Sequence, residues 1–148
     1  MIEKYKFLGE KVQIFEFAKI VNKMNLSIGS YSQIDDFVFI NAGFGSSIGK
    51  FVHISSFVSV IGGGQFIIED FSSLSAGCRI ITGSDDFKGP YLSNPTVPAK
   101  YKNVSKGKIK IGKHVLLGSN CVVLPNVVIP DGVSVGAGSI ISNSRFIY

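Results

Sequence analysis

Six side chains of this 148-residue chain draw attention for chemistry: two histidines, an aspartate pair and two cysteines. Histidine is the ordinary general base near neutral pH, and only His53 and His114 are present. Asp85 and Asp86 stand side by side in the stretch "ITGSDDF". A carboxylate there can take a proton, orient a histidine or hold a polar substrate, although a plain turn uses the same residue types. Cys78 and Cys121 have neither a CxxC nor a zinc-ligand spacing. They read as packed thiols, and no metal is expected. Which of these residues can meet depends on the elements that carry them.

Those elements count in sixes. In "IKIGKHVLLGSNCVVLPNVVIPDGVSVGAGSIIS" an aliphatic residue recurs at Ile111, Leu117, Val123, Ile129, Val135 and Ile141, a period that neither a helix nor an ordinary strand has. Upstream the series runs in triplets: Leu8, Ile14, Ile20; Ile28, Ile34, Ile40; Ile48, Ile54, Val60; Ile68, Leu74, Ile80. The step is six inside a triplet and eight between triplets. Three short strands per turn account for this. One residue of each hexad points inward, three hexads close a triangular coil, and the two extra residues bulge at one corner. The expectation is an all-β chain of about six triangular coils, a single domain over residues 1–148. The fifth residue of each hexad should also face inward and be compact; Ser32, Val38, Val52, Val58, Ser72, Cys78, Val115, Cys121, Val127, Val133 and Ser139 fit, whereas Phe44, Gly64 and Arg145 fit poorly. His114 falls in a corner column with Tyr31, Phe51 and Phe71, which reads as a stack rather than a catalytic position.

Between Ile80 and Ile111 the period fails. This predicts a loop excursion at about 82–110, rich in Gly, Pro, Asn, Ser and Lys, leaving at the corner that carries the bulges. Tyr91, Pro95, Pro98 and Tyr101 give it rigid and anchoring residues. A long loop inside a compact repeat argues for function, so Asp85, Asp86, Tyr91 and Asn94 are candidates for contact with a substrate.

The outward residues separate three faces. The third carries Phe39, Ile61, Ile81, Val122, Leu124 and Ile140, a strip broader than a monomer ordinarily exposes; a closed threefold assembly would bury it. The second carries Gln33, Asp35, His53, Ser55, Ser73, Ser75, Leu116, Gly118 and Gly136, small and polar residues that leave a shallow groove where a ligand can reach the backbone. His53, just before Ile54, is the candidate base on that groove, and Ser55 a candidate substrate contact.

The formal charge of +5, from 15 basic and 10 acidic residues, suits an anionic ligand such as a phosphorylated cofactor or a nucleotide sugar. The lysines are scattered and no nucleic-acid-binding motif accompanies them, so nucleic acid is not an expected partner. No apolar run approaches membrane-spanning length. The N-terminal stretch lacks the apolar block of a secretion signal, and the cysteine usage suits a reducing compartment; the expected setting is the cytoplasm.

The stretch "IGKHVLLGSNCVVLPNVVIPDGVSVGAGSIIS" resembles the hexapeptide-repeat acyltransferases, in particular the galactoside- and maltose-type sugar O-acetyltransferases and the acetyltransferases of surface-polysaccharide biosynthesis. The resemblance implies a left-handed coil, acetyl-CoA as acyl donor, and a homotrimer whose loop excursion encloses the active site against a neighbouring subunit. It implies a coenzyme A path along Leu116, Gly118, Ser119, Gly136, Ala137 and Ser142. The galactoside-type enzymes carry their catalytic histidine right after a Thr-Gly at the start of the loop; here "ITGSDDF" puts Ser84 there. The base is then His53, brought in from an adjacent subunit, or Asp85. The implied activity is transfer of an acetyl group to a sugar hydroxyl or to the amine of a nucleotide-linked amino sugar. The alternative is a non-catalytic β-solenoid that serves as a structural or partner-binding module.

Overall fold

The structure, a computed structural model, describes residues 4–143. Three six-stranded sheets of parallel strands wrap a single core in six coils. The first sheet holds Phe7–Leu8, Leu26–Ile28, Ser46–Ile48, Gln65–Ile68, Lys108–Ile111 and Val128–Ile129. The second holds Gln13–Ile14, Gln33–Ile34, His53–Ile54, Ser73–Leu74, Leu116–Leu117 and Ser134–Val135. The third holds Lys19–Val21, Phe39–Asn41, Ser59–Ile61, Arg79–Ile81, Val122–Val123 and Ile140–Ile141. Each chain turn visits the sheets in that order, so every hexad is one short strand and one corner.

The register stacks equivalent residues in columns. Ile28 pairs with Ile48, Ile34 with Ile54 and Ile40 with Val60, and all six are buried. The aliphatic columns interlock into one core that also takes in Cys78 and Cys121, both free and fully buried. Their thiols donate to the Gly118 and Gly136 carbonyls at 3.2 and 3.1 Å, and burial pushes the Cys78 thiol up from its ordinary pKa. Inward serines are satisfied within the prism. Ser72 Oγ donates to the Gly112 carbonyl at 2.6 Å and accepts from the Val115 N–H at 2.9 Å.

Two of the poor fits have a structural cause. The extra residues after the third hexad sit outside the prism, so the inward partner of the next strand moves two places on. Leu26, Ser46, Phe66 and Ile109 fill that place and are buried, whereas Phe44 is 65% exposed in the bulge. Arg145 lies outside the described residues.

The corners show why bulky aromatics occupy a left-handed backbone. Tyr31, Phe51, Phe71 and His114 have φ of 65, 54, 62 and 53°, a conformation that costs roughly 1–2 kcal/mol for a residue with a Cβ. Their rings stack in one ladder with centroids 5.0, 5.2 and 4.9 Å apart, each contact contributing about 0.5–1.5 kcal/mol. The stack offsets the backbone cost. His114 is therefore a ladder rung, as its column predicted. Phe17, Phe37 and Phe57 form a second ladder.

The period is interrupted after Thr82. Gly83–Ser84 pairs antiparallel with Ser105–Lys106 to make the neck of the excursion, and Lys108–Ile111 rejoins the first sheet beside Gln65–Ile68. The run Gly62-Gly63-Gly64 seats this neck. A Cβ on Gly62 would collide with the Gly83 backbone nitrogen, and one on Gly64 with the Gly107 carbonyl.

Candidate active site

The second sheet builds the groove. Strand pairing sets Gln33, His53, Ser73 and Leu116 in one outward column. Asp35, Ser55, Ser75 and Gly118 follow the inward residues in a parallel column. His53 is 47% exposed, and its Nε2 lies 2.9 Å from Asp35 Oδ2. Gln33 Nε2 donates to the other Asp35 oxygen at 2.7 Å. Burial pushes the Asp35 carboxyl up, but hydrogen bonds from Gln33 and His53 and the charge of His53 outweigh it, so Asp35 ionises below the usual carboxylate range. An acceptor-only carboxylate fixes the facing ring nitrogen of His53 as a donor. Sequence reading placed Asp35 on this face without giving it a role; its signal is its place in the next coil, beside His53.

Toward the C-terminal end the groove is lined by Leu116, 47% exposed, then by half-buried Gly118 and exposed Ser119, Gly136, Ala137 and Ser142. A Cβ on Gly118 would press on the Ala137 backbone, so adjacent coils pack here without side chains between them. That leaves peptide groups open to a ligand.

The loop makes a second cleft, of about 530 Å³, at the foot of the excursion. Gly62, Gly83, Ser84, Asp85, Lys102 and Lys106 line it. Asp85 is half-buried and its Oδ2 accepts the Asn94 N–H at 3.2 Å. Asp86 turns to the loop itself: its Oδ1 accepts the Lys88 and Gly89 N–H groups at 3.0 and 2.8 Å, and these hold its pKa below the carboxylate range. These bonds give Asp86 a part in shaping the loop. Asn94 also works locally, its Oδ1 accepting from the Thr96 N–H and hydroxyl at 3.0 and 2.6 Å. Tyr91 is 47% exposed on the loop. Among the described residues, His53 and Ser55 belong to the groove and Asp85 to the cleft, and the cleft lining does not include His53.

Residues 108–143 match the family described as bacterial transferase hexapeptide, six repeats. The dTDP-4-amino-4,6-dideoxy-D-glucose acyltransferase of Escherichia coli is 38% identical over 138 residues, 93% of this chain and 72% of that protein. The chain belongs to the hexapeptide-repeat acyltransferases. Its coils are the left-handed parallel β-helix of that family, and it is an acyltransferase. Among solved structures, AntD, an N-acyltransferase from Bacillus cereus in complex with dTDP and 3-hydroxybutyryl-CoA, superposes with a TM-score of 0.87 at 37% identity. The overlap covers 94% of this chain and 73% of AntD. A variant of AntD in complex with dTDP-4-amino-4,6-dideoxyglucose and coenzyme A has the same TM-score at 36% identity, over 94% of this chain and 74% of that one. The solved AntD acyltransferases include variants of an aspartate and of a serine ten residues before it. In this hexapeptide-repeat chain the one aspartate with a serine ten residues before it is Asp85, after Ser75.

Proposed function

We propose that this acyltransferase moves an acetyl group from acetyl-CoA to the amine of a dTDP-linked amino-dideoxy sugar, with Asp85 as the base. The observation that carries the reading is the pair Ser75 and Asp85, whose spacing matches the serine and aspartate varied in AntD. Ser75 lies on the groove one coil before Leu116 and Gly118. The path of coenzyme A runs from there along Ser119, Gly136, Ala137 and Ser142.

The chemistry follows from these groups. The sugar amine, held by the Ser75 hydroxyl, attacks the thioester carbonyl, and the C–N bond forms as the carbonyl electrons move to oxygen. Backbone N–H groups of the glycine-lined groove stabilise that oxyanion. Asp85 takes the proton from the nitrogen, the C–S bond breaks, and coenzyme A leaves as a thiolate that the same proton neutralises.

Asp85 lines the loop cleft, whose lining does not include Ser75, and in this reading the site closes between copies. The apolar strip on the third sheet supports a homotrimer. Ile61 is 39% and Ile140 70% exposed there, and a threefold assembly buries such a strip while it sets one copy's loop against the next copy's groove. Among the described residues no helix is long and apolar enough to cross a membrane, and an acyl-CoA donor puts the reaction in the cytoplasm.

A second reading gives the proton to His53, and the 2.9 Å contact with Asp35 favours it, because a carboxylate-oriented imidazole is a competent base. Asp85→Asn and His53→Ala, assayed for turnover side by side, separate the two.

A further inference from the structure

The structure assigns the N-terminal end of the second-sheet groove to the nucleoside of the acceptor, with Phe15 as the stacking platform and Gln33 as the hydrogen-bonding edge. This assignment rests on the nucleotide-sugar reading above and extends it to a part of the groove that the chemistry of acyl transfer does not use.

The coils act as a ruler. Ser75 is in the fourth coil, and Ser55, Asp35 and Phe15 occupy the same outward column in the third, second and first. Strands of one sheet stand about 4.8 Å apart, so three steps span about 14 Å. A nucleotide sugar whose amine sits at Ser75 with coenzyme A on its C-terminal side has one direction left in the groove. Its phosphates then pass the third coil, beside His53 and Ser55, and its nucleoside reaches the second and first coils.

At that end the groove deepens into a cleft of about 310 Å³ lined by Phe15, Gln33, Asp35, Asp36 and Ser56. A neighbouring hollow of about 320 Å³ shares Phe15 as a wall. One exposed phenylalanine on a surface is unremarkable. This one, 43% exposed, stands outside the two corner ladders, where ring faces cover one another, and it borders both hollows. Base-on-aromatic stacking is the interaction such a ring provides.

Gln33 supplies the polar complement. Its Nε2 donates one hydrogen to Asp35 Oδ1 at 2.7 Å, and the carboxylate, an acceptor only, fixes which way the amide points. The second N–H and the Oε1 remain, an adjacent donor and acceptor that match the imide edge of a pyrimidine base. The carboxylates of Asp35 and Asp36 also set the direction of the ligand. They repel a diphosphate from the first and second coils and leave it to the third, where the Ser55 hydroxyl can donate.

The test is calorimetric titration of the full chain with dTDP, with coenzyme A as the control ligand. Phe15→Ala should weaken dTDP binding about tenfold, in line with the loss of one stacked base, and Phe15→Tyr should restore it. Gln33→Ala should weaken it several-fold, with coenzyme A affinity unchanged in all three variants. In turnover, Phe15→Ala should raise the acceptor KM and leave kcat nearly as it was. Unchanged dTDP affinity in both alanine variants of a chain that binds dTDP overturns the assignment, and so does a parallel loss of coenzyme A affinity. A wild-type chain that binds no dTDP overturns the nucleotide-sugar reading itself and takes this assignment with it.

Discussion

Asp85→Asn is the sharpest perturbation of the catalytic proposal because it changes so little else. Asp85 holds its part of the loop by accepting the Asn94 N–H on Oδ2, and an asparagine carbonyl oxygen accepts the same bond. Loop shape, and with it substrate binding, should survive. What is lost is the ability to take a proton. General base catalysis contributes about 10²–10⁴ in rate, equal to about 3–5 kcal/mol of barrier at roughly 1.4 kcal/mol per decade. The expected result is a fall of that size in kcat, with acceptor KM and coenzyme A affinity close to wild type. The assay follows free thiol release from acetyl-CoA in the presence of a dTDP-linked amino sugar. His53→Ala, by contrast, should act through the acceptor KM. A fully active Asp85→Asn enzyme beside a dead His53→Ala enzyme would remove Asp85 as the base and give the proton to the His53–Asp35 pair.

Assembly is tested by Ile61→Asp combined with Leu124→Asp, which buries unpaired charge if the third-sheet strip is an interface; light scattering should show monomers or aggregate, and a trimer of native size would remove that face from the interface. Ser72→Ala strips one hydroxyl from two backbone groups inside the prism, which should cost about 1–3 kcal/mol in thermal or denaturant unfolding. Asp35 has a depressed folded pKa, so its contribution to stability is present above the ordinary carboxylate range and is lost as pH falls through the folded value. Asp35→Asn should therefore lower stability at neutral pH slightly and flatten the acid limb of the stability–pH curve, and an unaltered acid limb would show the Gln33–Asp35–His53 contacts to be without thermodynamic weight.

The prism was legible because inward residues recur at fixed spacing, and only aliphatic side chains satisfy a column buried on every side, as Ile34, Ile54 and Leu74 do. His114 was legible for the same reason: its column holds Tyr31, Phe51 and Phe71, and column neighbours touch. The bulge defeated the count at Phe44 and Gly64, since two inserted residues shift which side chain turns inward, and that shift depends on backbone turn geometry rather than on residue type. The loop's place was legible, but the contacts inside it were not. Asp85 and Asp86 are adjacent in sequence and alike in chemistry, yet one lines a cleft and the other caps the turn at Lys88 and Gly89. That division is made by local hydrogen bonds that no spacing announces. The contact of Asp35 with His53 was hidden for a simpler reason: the two are 18 residues apart and meet only because the coils stack.

Acyl transfer itself is the most direct measurement. The purified chain is mixed with acetyl-CoA and dTDP-4-amino-4,6-dideoxyglucose, thiol release is followed by absorbance, and the sugar product is weighed by mass spectrometry. One thiol should be released for each N-acetylated nucleotide sugar formed, and both signals should be lost with Asp85→Asn. No product, together with no heat of coenzyme A binding, would contradict this and leave the coils as a non-catalytic solenoid.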